Sequence, residues 1–235
     1  CEMCIRDRNI HNVSSCTGNH TLHAVGVARG IKRYGGKGVA ISSQGESSTS
    51  EGYVYEAING ASNEKLPVIF VFQDNRYGIS VPQRDQTANS FAADNFKGFK
   101  NLRIIHCDGK SVFSSMNAME TAKRHVLEKN EPVIVHASCV RIHSHSNSDK
   151  HELYRDDNER HCAKASDPLD RYRIILIHSG IFTESELNEI DEQAQKEMMA
   201  AHRKALTAPD PDPASIYNYV IAQEYKPVKF IDGIH

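Results

Sequence analysis

The 235-residue sequence has no tryptophan, and none of its apolar runs approaches the roughly 20 residues needed to span a bilayer. No charged-then-apolar leader opens it. It also has no excess of either charge: 28 Lys and Arg face 30 Asp and Glu, a net charge of −2. Without an overall positive field, nucleic acid and anionic membrane surfaces are not favoured partners, and a cytoplasmic location is the default expectation. A metal-type cysteine pattern is missing too. Cys1 and Cys4 form a CxxC pair with no second pair to complete a zinc site, and Cys16, Cys107, Cys139 and Cys162 are too scattered to suggest anything but free thiols.

What is present is an ordinary globular balance, 39 % apolar and 25 % charged residues. Residues 1–8, CEMCIRDR, read as an adapter-derived scar and are set aside, which implies a missing preceding segment. From Asn19 to Lys32 the apolar positions Leu22, Val25, Ala28 and Ile31 fall on one helical stripe that stops at Gly35 and Gly36. A short strand is expected at 38–42, a helix from Ser50 to about Ser62, and a strand buried on both faces at Leu66 to Phe72. A polar stretch at 83–100, a strand at 103–106, a helix at 111–128 and a strand at 132–139 continue the alternation. That order predicts an α/β fold, a doubly wound parallel sheet flanked by helices, with ligands at the carboxyl ends of the strands.

Residues 141–166 are highly polar and nearly free of aliphatics, so they are expected to form a long surface loop of functional type. Asp167-Pro168 opens a helix to about Ser179, and Thr183 with Glu186 has capping-box spacing for a longer helix to about Ala208. The expected organisation is an α/β domain over 9–166, its C-terminal helical tail over 167–208, and a Pro-rich linker with a truncated end over 209–235.

Two segments carry chemistry. Gly45-Glu46-Ser47 follows the strand at 38–42 and is expected to open a helix, whose free NH groups would hold phosphate oxygens, with Glu46 giving a hard oxygen to a divalent ion. Twenty-nine residues after Glu46, the buried strand ends in Gln73-Asp74-Asn75-Arg76-Tyr77-Gly78. Asn75 can give its side-chain oxygen and Tyr77 its backbone carbonyl to the same ion, in the near-octahedral oxygen environment that Mg2+ requires. Alone, the first segment reads as an ordinary helix entry and the second as turn chemistry. Their spacing, each behind a strand, is what makes them a constellation.

With GESSTSEG and QDNRYGIS in these positions, the sequence resembles the alpha subunits of thiamine diphosphate-dependent 2-oxo acid dehydrogenases. EAINGASNEKLPVIFV, DGKSVF at 108–113 and HSHSNSD at 143–149 extend the resemblance over roughly residues 10–225. It implies Mg2+ on Glu46, Asn75 and the Tyr77 carbonyl, and Ser15 and Thr17 against the aminopyrimidine. Gly45 and Ser47 would lie beside the diphosphate, and His145 would reach it near the substrate channel in a catalytic role. Read without the family, His145 is a solvated loop histidine, and the His143–His151 cluster lacks the fixed spacing of a zinc motif. The sequence departs from the family pattern in Glu46 for Asp, Ser47 for the second glycine, and Asp74 for the first Asn.

The resemblance further implies oxidative decarboxylation of a 2-oxo acid, with the hard chemistry done by the cofactor and the acyl group passed to a lipoyl domain of the acyltransferase component. A beta-type subunit or a fused beta half would supply the missing carboxylic acid, in an α2β2 assembly or a homodimer of fused chains. The loop and tail look mixed between branched-chain and pyruvate types, leaning to branched-chain. The competing readings are a non-catalytic cofactor- or metabolite-binding module, and a fragment unable to fold stably.

Overall fold

A computed structural model describes residues 15–218; the readings made for residues 1–8 and for 219–235 lie outside the described residues. Helix α1 (His20–Arg33) buries Ala24, Val25 and Ala28, while Leu22 and Val27 face outward, so its apolar stripe is narrower than the sequence suggests. Lys32 and Arg33 in its last turn complement the helix dipole, and Gly35 at φ +67° turns the chain. Strand β1 (Ala40–Gly45) starts two residues later than expected and runs to the glycine of the first motif. It alternates, with Ala40, Ser42 and Gln44 buried and Ile41 and Ser43 exposed.

Helix α2 (Gly52–Glu64) buries Val54, Ala57, Ile58 and Ala61 at i, i+3, i+4 and i+7, and ends on Lys65 in the left-handed region. Strand β2 (Val68–Asp74) is buried on both faces as predicted, because Val68, Phe70 and Phe72 pack under α1 and α2 while Ile69 points to the opposite layer. A two-residue antiparallel ribbon follows, β3 (Tyr77–Gly78) with β4 (Val81–Pro82). Strand β5 (Arg103–Asp108), helix α3 (Val112–Lys129), capped by the Ser111 hydroxyl on the Ser114 amide, and strand β6 (Val133–Ser138) complete the sheet.

All four long strands are parallel, in the order β1-β2-β6-β5. One apolar layer joins Ala24, Ala28, Ile58, Phe70, Phe72 and Phe96; the other sets Ile69, Val133 and Val135 against Ala118, Ala122 and Val126 of α3. Helices therefore cover both faces, as the α/β reading expects.

The segment 141–166 differs from expectation. Its second half is helical, a 3-10 turn at His151–Leu153 and α4 (Asp157–Ala165), with Asp156 capping the Glu159 amide. His151 and Arg155 are buried although the segment has few aliphatics. Arg155 is satisfied there by Glu159 (2.9 Å) and the Arg141 carbonyl (2.7 Å), so side-chain pairing replaces apolar burial. Helix α5 (Pro168–His178) and α6 (Glu184–Leu206) follow, the latter opened by the capping box of Thr183 and Glu186. The chain divides between His178 and Ser179 into two compact units, α5 belonging to the first and α6 to the second.

Among the described residues Cys16, Cys107, Cys139 and Cys162 form no disulfide, and no helix is long and apolar enough to cross a membrane. The core prediction is direct. Phe72, fully buried with its ring 5.8 Å from that of Phe96, should lose about 3–5 kcal/mol on Phe72→Ala. Leu153→Ala, at a position 82 % exposed, should cost about 0.5 kcal/mol or less. Urea unfolding of the two variants measures the difference.

Candidate functional site

Parallel pairing sets Gly45 opposite Gln73, so β1 and β2 release their chains at the same rim of the sheet. Glu46 is the next residue on one, and Asp74-Asn75 follow on the other. The Glu46 carboxylate is 3 % exposed, and its Oε2 accepts the Asn75 amide at 3.2 Å. The Asn75 backbone thus lies against the Glu46 carboxylate. Asn75 Oδ1 accepts the Tyr77 amide (3.1 Å), and Asp74 Oδ1 accepts the Arg76 amide (2.9 Å), which folds residues 74–77 into a tight turn with Arg76 at φ +70°.

Gly78 lets this turn approach. A Cβ there would stand 2.2 Å from Ser47 Oγ and 3.1 Å from Gln86 Oε1. Ser47 is itself held, donating to Gln86 Oε1 (2.9 Å) while its carbonyl accepts Gln86 Nε2 (3.0 Å). One expectation is corrected here. Gly45-Glu46 does not open an α-helix; Glu46–Ser50 is a 3-10 turn, and α2 begins only at Gly52. The side chains of Thr49 and Ser47 are engaged with the carbonyl and carboxylate of Glu46, and these local bonds favour the tighter turn over an immediate helix.

Burial pushes the Glu46 carboxyl above the ordinary carboxylate range; its own amide, that of Asn75 and the Ser47 hydroxyl pull it back, while the charge of Asp74 adds to the rise. Among the described residues no Lys, Arg or His forms an ion pair with it. A buried carboxylate without a counter-cation, against the Asn75 backbone and next to a turn that carries the Asn75 amide oxygen and the Tyr77 carbonyl, offers the hard oxygen donors a divalent ion takes, so the residue types fit Mg2+.

A second layer ties the segment 141–160 to the turn. Two guanidinium groups lie over the Tyr77 ring, Arg141 Cζ and Arg155 Cζ each 5.5 Å from its centroid, and its hydroxyl donates to Glu159 (3.0 Å). Burial first, then this Glu159 bond, raises the Tyr77 phenol above its usual range. Arg141 Nη2 donates to the Tyr154 hydroxyl (2.6 Å), which donates to Asp149 Oδ2 (2.6 Å), and the same oxygen accepts the His145 amide (2.7 Å). The His145 backbone is therefore fixed, while its side chain is exposed.

Arg141 Nε and Nη1 are buried with no hydrogen-bond acceptor. The sequence reading missed Arg141 and Arg155; the first follows β6 by three residues, so the rule that ligands gather at strand ends was the available signal. Ser15 and Thr17 are exposed just ahead of α1, and the Thr17 carbonyl accepts the Tyr53 hydroxyl (2.8 Å), which places their segment against the start of α2. Nothing brings Ser15 or Thr17 into hydrogen bonding with Glu46 or Asn75. Among the described residues no group of three His, Cys, Asp or Glu side chains is placed to hold a metal ion, the His143–His151 stretch included.

The sequence profile of the dehydrogenase E1 component family matches residues 3–214. The chain belongs to the dehydrogenase E1 component family. It is 31 % identical over 216 residues to the mitochondrial 2-oxoisovalerate dehydrogenase subunit alpha of Macaca fascicularis, covering 92 % of this chain and 48 % of that protein. It is 29 % identical over 229 residues to the mitochondrial pyruvate dehydrogenase E1 component subunit alpha of Dictyostelium discoideum, covering 97 % and 60 %. Against the pyruvate dehydrogenase E1 component subunit alpha of Staphylococcus epidermidis the identity is 33 % over 189 residues, covering 80 % and 51 %. The chain thus spans about half the length of these relatives.

Within this E1 chain, Ser47 occupies the space that Gly78 leaves open, which yields two predictions. Gly78→Ala should push the turn away from residue 46 and weaken divalent-cation binding by about 10-fold or more, and adding Ser47→Gly should recover most of it; isothermal titration reads both. In the cofactor-free protein the raised Glu46 carboxyl favours folding below pH 4.5, and this contribution is lost as pH rises through its elevated folded value. Glu46→Gln should flatten that slope and raise the thermal midpoint at neutral pH by a few degrees, as seen in melting curves across pH.

Proposed function

We propose that this chain is the cofactor-anchoring part of the dehydrogenase component of a 2-oxo acid dehydrogenase complex. It would work with thiamine diphosphate and Mg2+ in the oxidative decarboxylation of a 2-oxo acid and passage of the acyl group to a lipoyl domain of an acyltransferase component. The observation that carries this reading is the convergence of a buried, unpaired Glu46 carboxylate with Asn75 at the ends of two neighbouring parallel strands. Glu46, Asn75 and the Tyr77 carbonyl would hold Mg2+. Arg141, with two donors that lack acceptors, suits an oxygen of the diphosphate, as does His145 on the loop that Arg141 tethers. Gly45 and Ser47 would border the same group, and Ser15 and Thr17 would contact the aminopyrimidine.

When bound, thiamine diphosphate supplies the nucleophilic carbon and the electron sink for loss of carbon dioxide. The chain's own contribution is to hold the diphosphate end still, neutralise its charge through Mg2+ and arginine, and keep His145 positioned at the entrance. The carboxylic acid facing the aminopyrimidine would come from a beta-type subunit or fused beta half, in an α2β2 assembly or a homodimer of fused chains. A branched-chain 2-oxo acid is the substrate proposed, with pyruvate as the alternative.

Co-expressed with a beta-type partner and supplied with thiamine diphosphate and Mg2+, the protein should reduce an artificial electron acceptor in the presence of 2-oxoisovalerate faster than with pyruvate. Glu46→Ala should abolish this activity, and the chain alone should show no decarboxylation. Cofactor binding by the assembly without turnover of either acid would favour a non-catalytic binding module instead.

A further inference from the structure

Behind the turn that carries Asn75 and Tyr77 lies a polar pair for which ligand binding offers no direct use. Asp74 and His136 are both 0 % exposed, with His136 Nε2 at 2.9 Å from Asp74 Oδ2. A buried pair of this kind is costly, and an apolar pair of similar volume would fill the space more cheaply. Its geometry suggests why it is kept. Asp74 uses both carboxylate oxygens, Oδ2 toward His136 and Oδ1 toward the Arg76 amide at 2.9 Å. Arg76 sits at φ +70°, a conformation uncommon for a non-glycine residue.

The pair is braced on every side. The Asp74 carbonyl accepts the Cys139 amide (2.7 Å), joining the end of β2 to the chain leaving β6. The His136 ring packs against Phe91 and His106, at 5.3 and 5.1 Å between centroids, and its Nδ1 has no hydrogen-bond partner. Asp74 is thus the stronger anchor available to that ring. The Arg76 side chain closes the other flank, donating to Gln83 Oε1 (2.7 Å) and the Ser90 carbonyl (2.6 Å) with its guanidinium 5.0 Å over Phe91.

We propose that Asp74 and His136 are positioning residues for the cation site: His136 fixes the Asp74 carboxylate, which holds Arg76 left-handed and so aims Asn75 and Tyr77 at Glu46. This inference rests on the cofactor reading given above. Neither residue contacts the ion; each acts through the turn between the two ligands.

The test is Mn2+ affinity in the presence of thiamine diphosphate, read by electron paramagnetic resonance on the full-length protein with its beta-type partner, alongside the metal-free melting temperature. Asp74→Ala and His136→Leu should each weaken Mn2+ binding by about 10–100-fold. Asp74→Asn should stay close to wild type, because its amide oxygen still accepts the Arg76 amide and its NH2 can donate to His136 Nε2. That rescue separates aiming of the turn from a general loss of stability. Should the Ala or Leu variant not fold, Asp74→Glu, which keeps the charge but displaces both oxygens by a methylene, should show the same loss of affinity. Wild-type affinity in folded Asp74→Ala, His136→Leu or Asp74→Glu would overturn the inference. Failure of wild type itself to bind Mn2+ with the cofactor would overturn the underlying cofactor reading instead.

Discussion

Register between β1 and β2 governs the arrangement of everything at the upper rim of this sheet. With Gly45 paired to Gln73, both strands end level, and the residues that follow them must share one small space. A carboxylate placed there by Glu46 loses its water, and its only compensation among the described residues is the Asn75 amide and neighbouring hydroxyl and backbone groups. That imbalance, a desolvated negative charge without a positive one, makes the rim receptive to a divalent cation. A shift of either strand by one residue would turn the side chains to the other face and separate the two donors.

The rim is then built outward in polar layers. The left-handed residue Arg76 and the gap at Gly78 let the turn close onto Ser47, and the Tyr77 ring is met by the guanidinium groups of Arg141 and Arg155. Through Tyr154 and Asp149 the same arginine reaches the backbone of His145. Hydrogen bonds and ring contacts thus run continuously from the turn to the exposed loop, and they take the place of apolar packing in a segment with almost no aliphatics.

Membership of the dehydrogenase E1 component family fits a chain that carries one side of a site. The apolar layers are complete where α1, α2 and α3 cover the sheet, yet Ile41 on the edge strand β1 and Met116 on α3 remain exposed among the described residues. In the function proposed above, the described fold would organise the diphosphate end of the cofactor, and the groups facing its other end would come from a beta-type partner or fused half.

Periodicity was enough to read the alternating helices and strands, because burial on two faces leaves the unbroken run Leu66 to Phe72 and one-sided burial leaves the spaced alanines and isoleucine of α2. Motif spacing likewise brought Glu46, Asn75 and Tyr77 forward as candidates, and the strand ends do set Glu46 beside the Asn75 backbone, since segments that leave two neighbouring strands recur at a fixed distance in linear order. The 3-10 turn at Glu46, the helix within 141–166 and the burial of Arg155 were not legible: the first two rest on short-range side-chain bonds from Thr49, Ser47 and Asp156 that polar residues make in many local geometries, and the third on the Arg141 carbonyl 14 residues away. The Asp74–His136 pair spans 62 residues and the Arg141–Tyr77 contact 64, and neither residue type announces its partner. Local pattern, in short, determines which segments are helix or strand and which oxygens are on offer. Only tertiary packing decides which of those oxygens lose water together, since desolvation is a property of the assembled neighbourhood and not of any one residue.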